Sequence, residues 1–93
     1  MPSVAVVPLS ERLIYVFTRS EVRLMRRLLR NQGEWVSLPA LARALYGDWH
    51  DDRLMPQEAI AVRTHVWRIR TKLPPPWEIE TRYGHGLYRL VGA

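Results

Sequence analysis

Ninety-three residues, 47% apolar and 25% charged, carry enough apolar material for one hydrophobic core and too little for two. The absence of cysteine excludes disulfides and thiolate chemistry. No apolar run approaches the roughly 20 residues of a membrane span, and residues 1–8 lack the basic start of a secretory signal. The expectation is therefore a cytoplasmic protein away from membranes, whose net charge of +5 favours a polyanionic partner.

Residues 4–7 and 13–17 are short β-branched runs, and the Pro8-Leu9-Ser10-Glu11 turn between them predicts an N-terminal hairpin over 1–17. Thr18 and Glu21 have capping-box spacing, so a first helix is predicted from about 19 to 30, with Val22, Met25, Leu28 and Leu29 inward. Gly33 is the expected left-handed residue beyond it. Arg19, Arg23, Arg26, Arg27 and Arg30 crowd the rest of that helix. They read first as a solvated basic face and second as occasional phosphate contacts. Trp35-Val36-Ser37 predicts a bridging strand. Ser37 then caps a second helix with Pro39 in its first turn and Leu38, Leu41, Ala42 and Leu45 inward. Tyr46-Gly47 closes that helix. In the polar loop 48–56, Asp48, His50, Asp51 and Asp52 are metal-ligand types, but their spacing fits no calcium loop or zinc motif, and no metal is expected.

The third helix, about 57–73, carries the most information. Val62, Val66, Ile69 and Leu73 recur at steps of four, three and four, the stripe of a helix with one buried face. Ile60, Thr64, Trp67, Arg68 and Thr71 fall on the opposite side, with Arg63 and Arg70 on one flank and His65 and Lys72 on the other. Glu58 is the lone acid. Such a face suits a duplex groove, where phosphates flank the base edges. Pro74-Pro75-Pro76 stops the helix. Two strand-like runs, 77–81 and 87–91, are joined by Arg82-Tyr83-Gly84-His85-Gly86, whose glycines permit a tight turn. The predicted fold is α+β, one domain over 1–93: hairpin (1–17), three-helix core (18–73) and C-terminal hairpin wing (77–91), a winged helix-turn-helix.

Several pieces then occur in a telling order. They are Phe17-Thr18 with Glu21 and Leu28-Leu29, the run from Asn31-Gln32-Gly33 to Ser37 with Leu41, and Tyr46-Gly47. Val62 follows, then His65-Val66-Trp67-Arg68-Ile69-Arg70-Thr71-Lys72-Leu73, Ile79-Glu80-Thr81 and Gly84-His85-Gly86. With them the chain resembles, over nearly its whole length, the OmpR/PhoB-type winged-helix effector domains of bacterial response regulators. The resemblance implies sequence-specific binding of double-stranded DNA in transcription regulation, with homodimeric or tandem subunits on direct-repeat half-sites. It implies Arg68 as the base reader in the major groove, and His65, Arg70 and Thr81 as phosphate holders. Arg82 and Tyr83 would lie near the adjacent minor groove. Helix periodicity adds Arg63, Thr64, Trp67 and Thr71 to the DNA-facing set. For His65 a half-buried, backbone-bonded imidazole carries equal weight. In this family the loop before the third helix can touch RNA polymerase, which makes Trp49, His50 and Leu54 a candidate partner patch.

The departures from the family are as informative. Trp67 stands where a polar or basic residue is common, Arg63 where an acid is usual, and Tyr83 where many members place an arginine. Leu87 adds a residue to the wing tip, and the loop over 48–61 is long. Members carry a receiver domain, and these 93 residues hold none. The chain is thus expected to be either an excised effector domain or a free-standing regulator.

Two functions stay open. One is a DNA-binding regulator without enzymatic activity or cofactor. The other is a protein-interaction module gripping RNA polymerase or another regulator through Trp67, Ile60 and the 48–56 loop. Trp67 itself has three readings: contact with sugar or a thymine methyl, anchorage of a protein, or packing against Tyr83. An enzyme has least support, because the chain shows no nucleophile elbow, paired-carboxylate spacing, phosphate-cradling loop or zinc motif.

Overall fold

The computed structural model describes residues 16–51 and 53–92. Apart from Val16 and Phe17, the hairpin predicted over 1–17 lies outside the described residues, as does Asp52. The elements are α1 (Arg19–Arg30), β1 (Val36–Ser37), α2 (Leu38–Tyr46), α3 (Pro56–Lys72), β2 (Glu78–Arg82) and β3 (Leu87–Val91). Three helices and an antiparallel sheet of order β1-β3-β2 make an α+β winged helix-turn-helix.

Helix α1 starts where the capping box predicts. The Thr18 hydroxyl accepts from the Glu21 amide at 3.3 Å, and the Glu21 carboxylate accepts from the Thr18 amide at 3.0 Å. Its buried stripe is Glu21, Leu24, Met25 and Leu28, with Val22 and Leu29 only partly covered. The stripe is therefore turned relative to the predicted one, and it begins on an acid. Glu21 is 1% exposed and bonds Lys72 Nζ at 2.6 Å, joining the start of α1 to the end of α3. Burial would raise the Glu21 carboxyl pKa. The Lys72 hydrogen bond, the Thr18 amide and the charges of Lys72 and His65 outweigh it and hold the group below its ordinary value of 4.5.

Helix α2 is capped by Ser37, whose hydroxyl accepts from the Ala40 amide at 3.2 Å. It buries Leu38, Ala40, Leu41, Ala42 and Leu45. The three helices pack pairwise, and Leu24, Leu28, Leu41, Val62, Val66 and Ile69 form the centre of the core. Arg23 donates to the Leu45 carbonyl at 3.1 Å, fastening α1 to the end of α2.

The sheet closes the open side of the bundle. Ile79, Tyr88 and Leu90 turn inward, as alternation along a strand with one buried face requires. Tyr88 pairs with Val36 on one side and Thr81 on the other. The Gly33 amide donates to Leu90 O, and the Leu38 amide to Gly86 O, each at 2.9 Å. These bonds fix β3 to the helical core near both of its ends. Between the paired Arg82 and Leu87, Gly84 and Gly86 have φ of 81° and 60°, a left-handed region that glycine enters without penalty.

Candidate nucleic-acid interface

Helix α3 is positioned from three sides. Val62, Val66 and Ile69 are buried, which fixes its rotation and leaves Ile60, Thr64, Trp67, Arg68 and Thr71 exposed as predicted. At its start, the Glu58 carboxylate accepts from the Met55 amide at 2.9 Å and from His50 Nε2 at 2.6 Å. At its end, Lys72 is held by Glu21.

His50 fastens the preceding loop. Its Nδ1 lies 2.7 Å from Asp51 O, and its ring stacks on Tyr46 with centroids 5.5 Å apart. Both of its polar partners are acceptors only, so the geometry calls for an imidazolium with two N–H donors. The Glu58 hydrogen bond raises the His50 pKa above 6.5, against the opposing effect of burial, and Asp51 O adds to the rise. The Met55 amide, followed by His50, holds Glu58 below 4.5. This corrects one expectation. Of the candidate partner patch, Trp49 is exposed and Leu54 is half-buried against the core, but His50 is only 6% exposed and serves the loop rather than a surface. Among the described residues no cluster of His, Asp or Glu is arranged to hold a metal ion.

Arg70 and Thr81, both expected on phosphates, are bonded to each other. Arg70 Nε and Nη2 donate to Ile79 O at 3.2 and 3.1 Å, and Nη2 also donates to the Thr81 hydroxyl. The guanidinium therefore ties the last turns of α3 to β2. Its charge still borders the groove between α3 and the wing, which Arg63, Trp67, Thr81, Arg82 and Tyr83 also line. His65 is half-buried, and its Nδ1 is buried with no hydrogen-bond partner among the described residues. The backbone bond expected of a structural histidine is absent at that nitrogen.

Trp67 and Tyr83 line the same groove without touching ring to ring, and they are 62% and 84% exposed. Packing of one on the other, one of the three readings for Trp67, is not what the structure shows. Among the described residues Arg63, Arg68 and Arg82 have no hydrogen-bond or ion-pair partner, so the rim of this face carries uncompensated positive charge. On the wing, by contrast, Glu80 bonds Arg89 at 3.0 Å, and Arg89 lies 4.4 Å over the Trp35 ring.

A second basic cleft lies between α1 and α2, lined by Arg23, Arg26, Arg27, Arg30 and Arg43 with Asp48. It shares no residue with the α3–wing groove. Arg27 bonds the Asn31 side chain, a local contact at the end of α1.

The residues that position the face were not visible as a set in the sequence. Glu21 and Lys72 are 51 positions apart, Arg70 and Thr81 are 11 apart, and His50 and Glu58 are 8 apart across a loop. Only the capping role of Glu21 had a local signal.

No helix among the described residues is long and apolar enough to cross a membrane. No curated protein matches the chain. The family described as transcriptional regulatory protein, C terminal, matches residues 13–90, and the chain belongs to it, with the OmpR/PhoB-type winged-helix DNA-binding domains.

Proposed function

We propose that the protein is a sequence-specific regulator acting on double-stranded DNA in the cytoplasm. Helix α3 lies in the major groove, and the β2–β3 wing lies on the adjacent backbone or minor groove. The observation that carries this reading is the cationic rim of Arg63, Arg68 and Arg82, unpaired among the described residues, around the outward face of a helix whose opposite face is locked into the core. A major groove about 12 Å wide admits such a helix. Arg68 is assigned to a guanine, whose O6 and N7 match its two-pronged donors. Arg63 and His65 are assigned to phosphates, Arg82 and Tyr83 to the minor-groove side, and Arg70 with Thr81 to holding the wing against α3, the Arg70 charge bordering the groove. Two subunits on half-sites about one helical turn apart would give the tandem arrangement expected of the family.

The second reading, a module that grips RNA polymerase or another protein, draws on exposed apolar side chains: Trp49 in the 48–56 loop, and Ile60 and Trp67 on α3. Selection from a random duplex library at about 0.15 M salt, where non-specific phosphate binding is weakened, separates the two. A recovered motif supports the regulator. Binding without any sequence preference, together with partner capture abolished by Trp67→Ala, supports the module.

A further inference from the structure

The outward face of α3 is more apolar than a DNA-reading helix needs to be. Ile60, Thr64, Trp67 and Thr71 fall within an arc of about 60°, opposite Val62, Val66 and Ile69, at about 100° per residue. Arg63 and Arg70 border the arc on one side and Arg68 on the other. Ile60 and Trp67 are each 62% exposed, and with Arg63 and Thr64 they line a shallow hollow. The two threonines add to this character. Thr64 Oγ1 donates to Ile60 O at 2.8 Å, and Thr71 Oγ1 donates to Arg68 O at 2.7 Å. Each hydroxyl proton is spent inside the helix, so each residue offers a partner its methyl rather than a donor.

We infer that this stripe reads thymine 5-methyl groups and that the half-site is specified partly by thymines in register with it. The inference rests on the major-groove reading of α3 and names the bases that reading leaves open. The thymine methyl is the one apolar group on the major-groove edges of the four base pairs. An apolar stripe set among base edges has no other complement there. The bordering charges select DNA over an apolar protein surface, because phosphates flank the groove on the side of Arg63 and Arg70, and a guanine edge offers Arg68 two acceptors on the other. Register follows from the helix. Ile60 and Trp67 are separated by about 10 Å along the axis at about 1.5 Å per residue, or about three base-pair steps at about 3.4 Å each. Thymines about three steps apart, one under Ile60 and Thr64 and one under Trp67 and Thr71, are the predicted signature.

Deoxyuridine supplies the test, since it lacks the 5-methyl and keeps every donor and acceptor of thymidine. In the duplex recovered by selection, each thymine is replaced in turn. The expected result is about fourfold weaker binding at two positions about three steps apart, the factor for about 0.8 kcal/mol per buried methyl-sized group. The factor should vanish at one position in Ile60→Ser and at the other in Trp67→Ala. Both side chains are exposed, so both variants should keep the wild-type circular dichroism and unfolding temperature. Indifference of the wild type to uracil at every position overturns the inference and leaves the stripe to a protein partner. The same factor in the wild type and in both variants also overturns it, placing the methyl contact elsewhere. Recovery of no motif at all overturns the major-groove reading itself.

Discussion

His50 sits between the Glu58 carboxylate and the Asp51 carbonyl, and a neutral imidazole, with one N–H, can satisfy only one of them. The pair therefore contributes most to stability while His50 is charged. Because the folded pKa of His50 is raised above 6.5, its contribution is complete below that value and is lost as pH rises through the raised one. Glu58 runs the other way. Its folded pKa is lowered, so its contribution is present above 4.5 and is lost as pH falls through the lowered value. Between roughly 4.5 and 6.5 both are intact. In thermal unfolding, the advantage of the wild type over His50→Gln should be largest near about pH 6 and should shrink toward about pH 9. An advantage that does not change with pH would show that the histidine serves by shape alone.

At the scale of elements, two arginines on one flank of α3 have different work. Arg63 has no partner among the described residues, whereas Arg70 holds the wing strand through Ile79 O and Thr81. Arg63→Ala should leave the unfolding temperature unchanged, weaken binding to all duplexes alike and lower the salt slope by about one. Arg70→Ala should instead destabilise the fold by about 1.5–3 kcal/mol, the range for hydrogen bonds to a charged group, and should loosen the wing as well. Denaturant unfolding and salt titration of both variants separate the roles, and matching profiles would refute the distinction. Local features of these elements were legible beforehand. The Thr18 and Ser37 caps, the buried faces of α2 and α3, the β1 bridge and the glycine turn all rest on residues within a few positions of one another. The α1 stripe was misjudged for a physical reason. Its first member is Glu21, a charged side chain buried on Lys72, and an apolar periodicity that ignores charged residues starts one residue late, at Val22, and passes over Leu24.

Over the whole molecule, the fold reduces to one arrangement. Among the described residues three helices form a core, a sheet is fastened to them through Gly33, Leu38 and Arg70, and one helix face is left unneutralised. The order of the described elements and the outward face of α3 could be read from the sequence, because hydrophobic period and capping chemistry are local. The contacts that orient that face could not, because Glu21–Lys72, Arg70–Thr81 and His50–Glu58 exist only once the chain has folded. The basic residues look alike in the sequence and differ in the structure. Lys72 and Arg70 are engaged internally, while Arg63, Arg68 and Arg82 are available to a partner. The proposed regulator depends on α3 reading bases through Arg68. The most direct measurement is the affinity of the wild type and Arg68→Ala for duplexes carrying each base in turn at every position of the selected motif. A loss of about 1–3 kcal/mol confined to one guanine, with preference relaxed there alone, is the predicted result. An equal loss on every duplex would contradict it and make Arg68 a phosphate contact.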